Sequence, residues 1–258
     1  MRLITVVGPA GVGKTRWISQ FFQERQRPLL YYCPGFNSVD QARIDAQFPW
    51  VTIVPEDQVK QVFDTLPDQA VVYLELEANL DLGSPFLTSL PCHRVAVLPP
   101  DFQQTSAWHN WADEIIPGNN IPVTPPDDSQ ELWRIPLIGH VFDPPSLDEA
   151  LIEVTEGAYG RVQRMKGIFE LPDGHAFYLD FVEGLPGIEY TELNLASWLD
   201  GRPDRFSGIE VRGWNLDKEG IVQTLVDGGL SDTAIAQYQE HYKAERAHQT
   251  NPQENILR

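Results

Sequence analysis

Eight consecutive residues carry the clearest chemistry in this sequence. Gly8, Pro9, Ala10, Gly11, Val12, Gly13, Lys14 and Thr15 satisfy the pattern G-x-x-x-x-G-K-S/T. Glycines let main-chain N–H groups wrap phosphate oxygens with no Cβ in the way. A helix that begins near Gly13 adds the positive end of its dipole. Lys14 brings a point charge to β- and γ-phosphates, and the Thr15 hydroxyl is a ligand of the kind Mg²⁺ takes. The bland alternative is a glycine turn followed by a chance Lys-Thr. The surroundings argue against it, since an apolar, β-branched run precedes the loop and a helical pattern follows it.

A triphosphate site also needs an acid on the metal side, at the tip of a neighbouring strand. The run AVVYLELEAN places Glu75 and Glu77 after four apolar residues. Glu75 falls at the expected strand end, where a carboxylate holds a metal-bound water or orients the attacking one. For Glu77 a solvated strand terminus serves equally well. Asp40, after the second strand, is placed to reach Mg²⁺ or to act as a helix N-terminal acid. The expected catalytic residues are therefore Lys14 and Glu75, and the expected metal side is Thr15, Asp40 and Glu75.

The elements that must position these groups read as alternating strand and helix. Arg2 to Val7 is a buried strand. Trp17, Ile18, Phe21 and Phe22 recur at helical spacing, so a helix is expected from Lys14 to about Arg25, stopped by Pro28. Strand-like runs follow at Leu29 to Tyr32, Val51 to Val54, Val71 to Leu74, Val95 to Leu98 and Glu114 to Ile116. Helical patterns such as Asp57 to Leu66 lie between them. The fold class expected is α/β, a mostly parallel, helix-covered sheet over residues 1–121.

Near Pro122 the composition changes. PVTPPDDSQE is proline-rich and acidic, and residues 122–144 read as a linker. Beyond it, Ser146 and Glu149 have capping-box spacing ahead of Leu147, Ala150, Leu151 and Val154, with Gly157 at the helix end. Arg161 to Leu171 and Ala176 to Val182 read as a hairpin about a Pro172–Gly174 turn. Tyr190 to Ala196 and Ser207 to Trp214 are further strands, and Leu216 to Val226 a helix. Residues 145–235 are thus expected as a small α+β domain with an antiparallel sheet. The remainder, 236–258, is expected as a polar, charged tail, a helix that frays into disorder.

The chain of 258 residues has a formal charge of −18 and 42% hydrophobic residues. Such acidity disfavours nucleic acid and anionic membrane as partners, so a bound triphosphate needs local positive potential. No apolar run is long enough to span a bilayer. No leader pattern precedes the first strand, and a cytoplasmic location is the expectation. Cys33 and Cys92 follow no metal or disulfide spacing. The six histidines are scattered. Cys92-His93 is the compact Cys/His neighbour, and two residues make no metal site.

At this point the sequence resembles the CobW-like P-loop GTPase family, relatives of metallochaperone GTPases of nickel-enzyme and cobalamin assembly. The resemblance covers nearly the whole chain except the tail. It rests on Gly8–Thr15, on the spacing from Tyr32 to Asp40, and on the strand ending in Glu75. In the second half it rests on GAYGRVQRMKGIFELPDG, with Arg164-Met-Lys166-Gly167, and on RFSGIEVRGWNLDKEGIVQTL. Three departures stand beside it. The family's Glu-x-x-Gly is Glu75-Leu-Glu-Ala78 here. Its Cys-x-Cys-Cys metal motif is missing. Its Asn-Lys-x-Asp guanine-reading motif is reduced to Asn119-Asn120, without the Lys or the Asp.

The resemblance implies a Mg²⁺-dependent nucleoside triphosphate site, GTP or ATP with GTP favoured, Asn119 or Asn120 at the base, and slow hydrolysis. It also implies a client protein met by the C-terminal domain, a link to metal cofactor assembly or trafficking, and leaves room for an oligomer. The alternative from another class is a regulatory or adaptor protein that binds nucleotide with relaxed base specificity and does not hydrolyse it. A P-loop kinase is a weaker reading, because no basic lid is evident.

Overall fold

The computed structural model describes residues 2–34, 39–78, 80–102, 106–123 and 129–250. It divides into two compact units, Met1–Asp128 with Val182–Pro186, and Ser129–Phe181 with Gly187–Arg258.

In the first unit, β1 (Arg2–Val7) runs into the glycine-rich loop and then α1 (Lys14–Ser19). A 3₁₀ turn over Gln20–Gln23 prolongs this helix by one turn, close to the stop expected before Pro28. There follow β2 (Leu29–Tyr32), α2 (Val39–Gln47), β3 (Val51–Ile53), α3 (Val59–Thr65), β4 (Val71–Glu75), α4 (Pro85–Ser89), β5 (His93–Leu98), α5 (Ala107–Trp111) and β6 (Glu114–Pro117). Among the described residues the strands form one six-stranded sheet in the order β3-β2-β4-β1-β5-β6, parallel at every pairing. Parallel strands joined by helices bury both faces of a sheet, and these strands read as near-continuous apolar runs for that reason. One face gathers Ile4, Val6, Tyr31, Tyr73, Val95 and Val97 with Phe22 and Ile44. The other gathers Leu3, Val7, Leu30, Leu74, Ala96 and Leu98 with Leu87 and Trp111.

β1 is central, between β4 and β5. The register sets Val6 beside Glu75, so the end of β4 arrives where β1 gives way to the loop. Leu98 pairs with Pro117, which brings the segment after β6 to the same carboxyl edge. Ligands of open parallel sheets bind at that edge.

The second unit holds β7 (Glu131–Pro136), α6 (Pro144–Thr155), β8 (Arg161–Glu170), β9 (Ala176–Val182), β10 (Ile188–Glu192), β11 (Gly208–Trp214), α7 (Lys218–Asp227) and α8 (Asp232–Thr250). Its sheet is antiparallel in the order β10-β9-β8-β11-β7. The apolar face packs Met165, Phe169, Leu179, Ile209 and Val211 against Leu147 and Leu151 of α6 and Ile221 and Leu225 of α7. The fold class is thus an α/β unit with a parallel helix-covered sheet followed by a smaller α+β unit with an antiparallel one.

Three details differ from the sequence reading. Residues 131–136 lie inside the segment expected as a linker and form β7, because Trp133 and Ile135 alternate with the outward-facing Leu132, Arg134 and Pro136 and pack against the core. Residues 124–128 of that segment lie outside the described residues. α6 starts two residues before Ser146, capped by Asp143, whose Oδ2 accepts from the Ser146 amide, with prolines in the first turn. α8 begins at Asp232, inside the span expected for the second domain, and then carries the tail as the expected helix to Thr250, while 251–258 lie outside the described residues.

Candidate functional site

The glycine-rich loop turns on backbone conformations that side chains resist. Gly8 has φ 146°, and a Cβ there would lie 2.1 Å from the Val97 carbonyl oxygen. No other residue allows β1 to leave the sheet this close to β5. α1 opens at Gly13, which is left-handed at φ 98°, and no side chain caps this helix end. An uncapped helix start with a glycine lead-in is the arrangement that receives an anion.

Lys14 folds back over the loop. Its ammonium donates to the Gly8 carbonyl at 3.0 Å and to the Pro9 carbonyl at 3.2 Å, and the residue is only 8% exposed. The loop thus holds a buried cation on its own main-chain carbonyls. A triphosphate offers it stronger, charge-assisted partners than neutral carbonyls do. In a chain of charge −18 this is the local positive potential that such a ligand needs.

Next to it, the Thr15 hydroxyl donates to Glu75 Oε1 at 3.0 Å, across 60 residues of sequence. Donation commits the hydroxyl hydrogen and leaves the oxygen lone pairs for a hard cation. Glu75 is buried, and its second oxygen, Oε2, accepts from the Tyr31 hydroxyl at 2.9 Å. Burial first, and then the Glu75 charge, push the Tyr31 phenol well above its ordinary value, so it keeps its proton and donates. The Cys33 and Asp40 charges act on the same phenol in the same direction. Asp40 is buried in the first turn of α2.

The hydroxyl and carboxylate oxygens of Thr15 and Glu75 are the donor chemistry that Mg²⁺ prefers, with water and phosphate oxygens completing its shell. The residues present therefore fit a magnesium ion bound with a phosphate ligand. Among the described residues, no three His, Cys, Asp or Glu side chains gather as a ready-made metal cage.

Asn119 approaches from β6. Its side-chain amide donates to the Gly11 carbonyl at 2.8 Å, and its main-chain N–H donates to the Val12 carbonyl at 2.9 Å. Gly118 makes this approach possible, since a Cβ there would lie 2.3 Å from the Val12 carbonyl oxygen. Asn120 is turned toward Asp101 after β5, to which its amide donates at 3.1 Å.

The structure thus brings together the loop, Lys14, Thr15, Glu75 and Asn119. Sequence reasoning missed Tyr31, Gly118 and Asp101. Tyr31 sat unremarked in an apolar strand, and only the β2–β4 register shows its closeness to Glu75. Elsewhere, His93 pairs with Glu114 at 3.0 Å. Cys33 and Cys92 are not joined in a disulfide.

No protein-family model matches the chain, and no curated protein matches it. Among solved structures, it is similar to the Zn(II)-bound YjiA GTPase from E. coli at 10% identity and TM-score 0.31, covering 88% of this chain and 98% of that one. A Zn(II)-bound triple mutant of YjiA gives 11% identity and TM-score 0.32, with the same coverage of both chains. Likeness at this level carries no functional argument, so function rests on the loop geometry itself.

Proposed function

We propose that this protein binds a Mg²⁺–nucleoside triphosphate at the loop Gly8–Thr15 and hydrolyses it slowly. The observation that supports this best is the pairing of a buried Lys14 ammonium over the loop with a Thr15 hydroxyl held by Glu75. In this reading the loop amides and Lys14 stabilise charge on the transferring phosphoryl group. Thr15 and Glu75 hold the metal side. Mg²⁺, when bound, neutralises charge across the β- and γ-phosphates. GTP is the favoured nucleotide on the resemblance, with Asn119 beside the loop, although no acid follows Asn120 to read guanine.

A second reading is favoured by one observation. Both oxygens of Glu75 already accept a hydrogen bond, from Thr15 and Tyr31, which favours a holding role for this carboxylate over orienting an attacking water. That arrangement suits a nucleotide-binding adaptor with relaxed base choice and little turnover. A client protein met by the second unit and a role in metal cofactor assembly belong to the same proposal. They rest on the sequence resemblance, and titration with zinc, cobalt and nickel tests the metal part.

Calorimetry with GTP and ATP, with and without Mg²⁺, tests the main reading. Tighter binding of GTP with Mg²⁺ supports it, and tenfold tighter ATP overturns the GTP assignment. Phosphate release by the parent and by Glu75→Gln separates the two readings. Measurable turnover that falls in the variant supports hydrolysis, and no release under any metal condition supports the adaptor.

A further inference from the structure

Tyr31 contributes nothing to the phosphate loop by sequence position, yet it holds the acid on which the metal side depends. Glu75 is 6% exposed. A carboxylate that far from water needs hydrogen-bond donors on its oxygens. Thr15 serves Oε1 at 3.0 Å and Tyr31 serves Oε2 at 2.9 Å, from two different elements. With one donor on each oxygen, the plane of the carboxylate is set. Rotation about its terminal bond would break at least one of the two bonds.

The sheet explains how the tyrosine reaches. Tyr31 pairs with Tyr73 across β2 and β4, and Glu75 lies two residues further along β4, on the same face as Tyr73. That diagonal step is within reach of an aromatic side chain. The ring lies in the apolar core, edge-on to Phe22 with centroids 6.3 Å apart, and is 0% exposed. Only the hydroxyl meets the polar site. A phenylalanine would pack the same volume and leave Oε2 without this donor. Packing therefore does not account for the hydroxyl, and the bond to Glu75 does.

We propose that Tyr31 is a positioning residue for the metal side of the nucleotide site, acting through Glu75 to hold the Thr15 hydroxyl with its lone pairs toward a divalent cation. The chain of contacts runs Tyr31 to Glu75 to Thr15. Its consequence is specific to the cation, because the loop and Lys14 do not depend on it. This inference rests on the reading of the loop as a Mg²⁺–triphosphate site.

The test uses the full chain and a fluorescent GTP analogue, first in EDTA and then with rising Mg²⁺. Tyr31→Phe is expected to bind nucleotide in EDTA as the parent does. Its Mg²⁺ midpoint is expected to rise about tenfold, the usual cost of losing a residue that orients a metal ligand. On a Glu75→Gln background the same substitution is expected to shift the midpoint no further, because the residue it acts through is already altered. An unchanged midpoint in Tyr31→Phe overturns the inference, and so does an equal shift on both backgrounds. Should Tyr31→Phe fail to fold, proton NMR of the parent still decides. A slowly exchanging Tyr31 hydroxyl proton that moves when Mg²⁺ joins the nucleotide supports the inference, and one that ignores Mg²⁺ overturns it. If the parent binds no nucleotide in either condition, the site reading itself falls. If the parent responds to Mg²⁺ and the variant responds identically, only the role of Tyr31 falls.

Discussion

Asn119 and Gly11 are 108 residues apart in sequence, and the amide of one donates to the carbonyl of the other at 2.8 Å. This bond ties the end of β6 to the middle of the phosphate loop. Asn119→Ala removes the donor and keeps the main-chain bond to Val12. It is expected to weaken nucleotide binding about fivefold, equivalent to about 1 kcal/mol for a net neutral hydrogen bond. Asn119→Asp is expected to be worse, because it sets a carboxylate against a carbonyl. Calorimetry of both variants checks the order, and equal affinity in all three proteins would show that the bond does not shape the loop.

Thr5 offers a test of the core under the loop. It sits fully buried in β1, and its hydroxyl has no hydrogen-bond partner among the described residues. Thr5→Val keeps the shape and removes an unsatisfied polar group. Stability is expected to rise by about 1 kcal/mol, with nucleotide affinity unchanged. Urea denaturation measures it, and a loss of stability would mean that the hydroxyl has a partner.

In the second unit, Arg205 grips Glu170 through two bonds, at 2.5 and 2.6 Å, and Glu170 is only 1% exposed. The same guanidinium donates to the carbonyls of Ala196 and Gly174, tying a long loop to the sheet. Arg205→Ala strands a buried charge and is expected to cost about 3–5 kcal/mol. Replacing both partners, Arg205→Met with Glu170→Gln, is expected to recover much of that loss. Denaturation followed through the second unit's unfolding checks both, and a double variant no better than the single one would contradict the account.

The parallel sheet and the phosphate loop were legible from residue types, because buried parallel strands are continuous apolar runs and the loop has fixed spacing. Lys14, Thr15 and Glu75 could be named for the same reason. What escaped depends on register and close approach. Tyr31 looks like any strand aromatic until β2 is paired with β4. Gly118 looks like a turn glycine until Val12 is seen against it. β7 was hidden in a proline-rich, acidic neighbourhood, although Trp133 and Ile135 already alternate. The cap of α6 was misplaced because Ser146 and Glu149 mimic a capping box inside a helix that Asp143 begins.

The most direct measurement is calorimetric titration of the parent and of Lys14→Ala with Mg·GTP and Mg·ATP. Lys14 supplies a buried charge-assisted contact, so its loss is expected to weaken binding about 100-fold, or about 2.7 kcal/mol. A variant that binds as tightly as the parent, or a parent that binds neither nucleotide, would contradict the assignment of this loop as a triphosphate site.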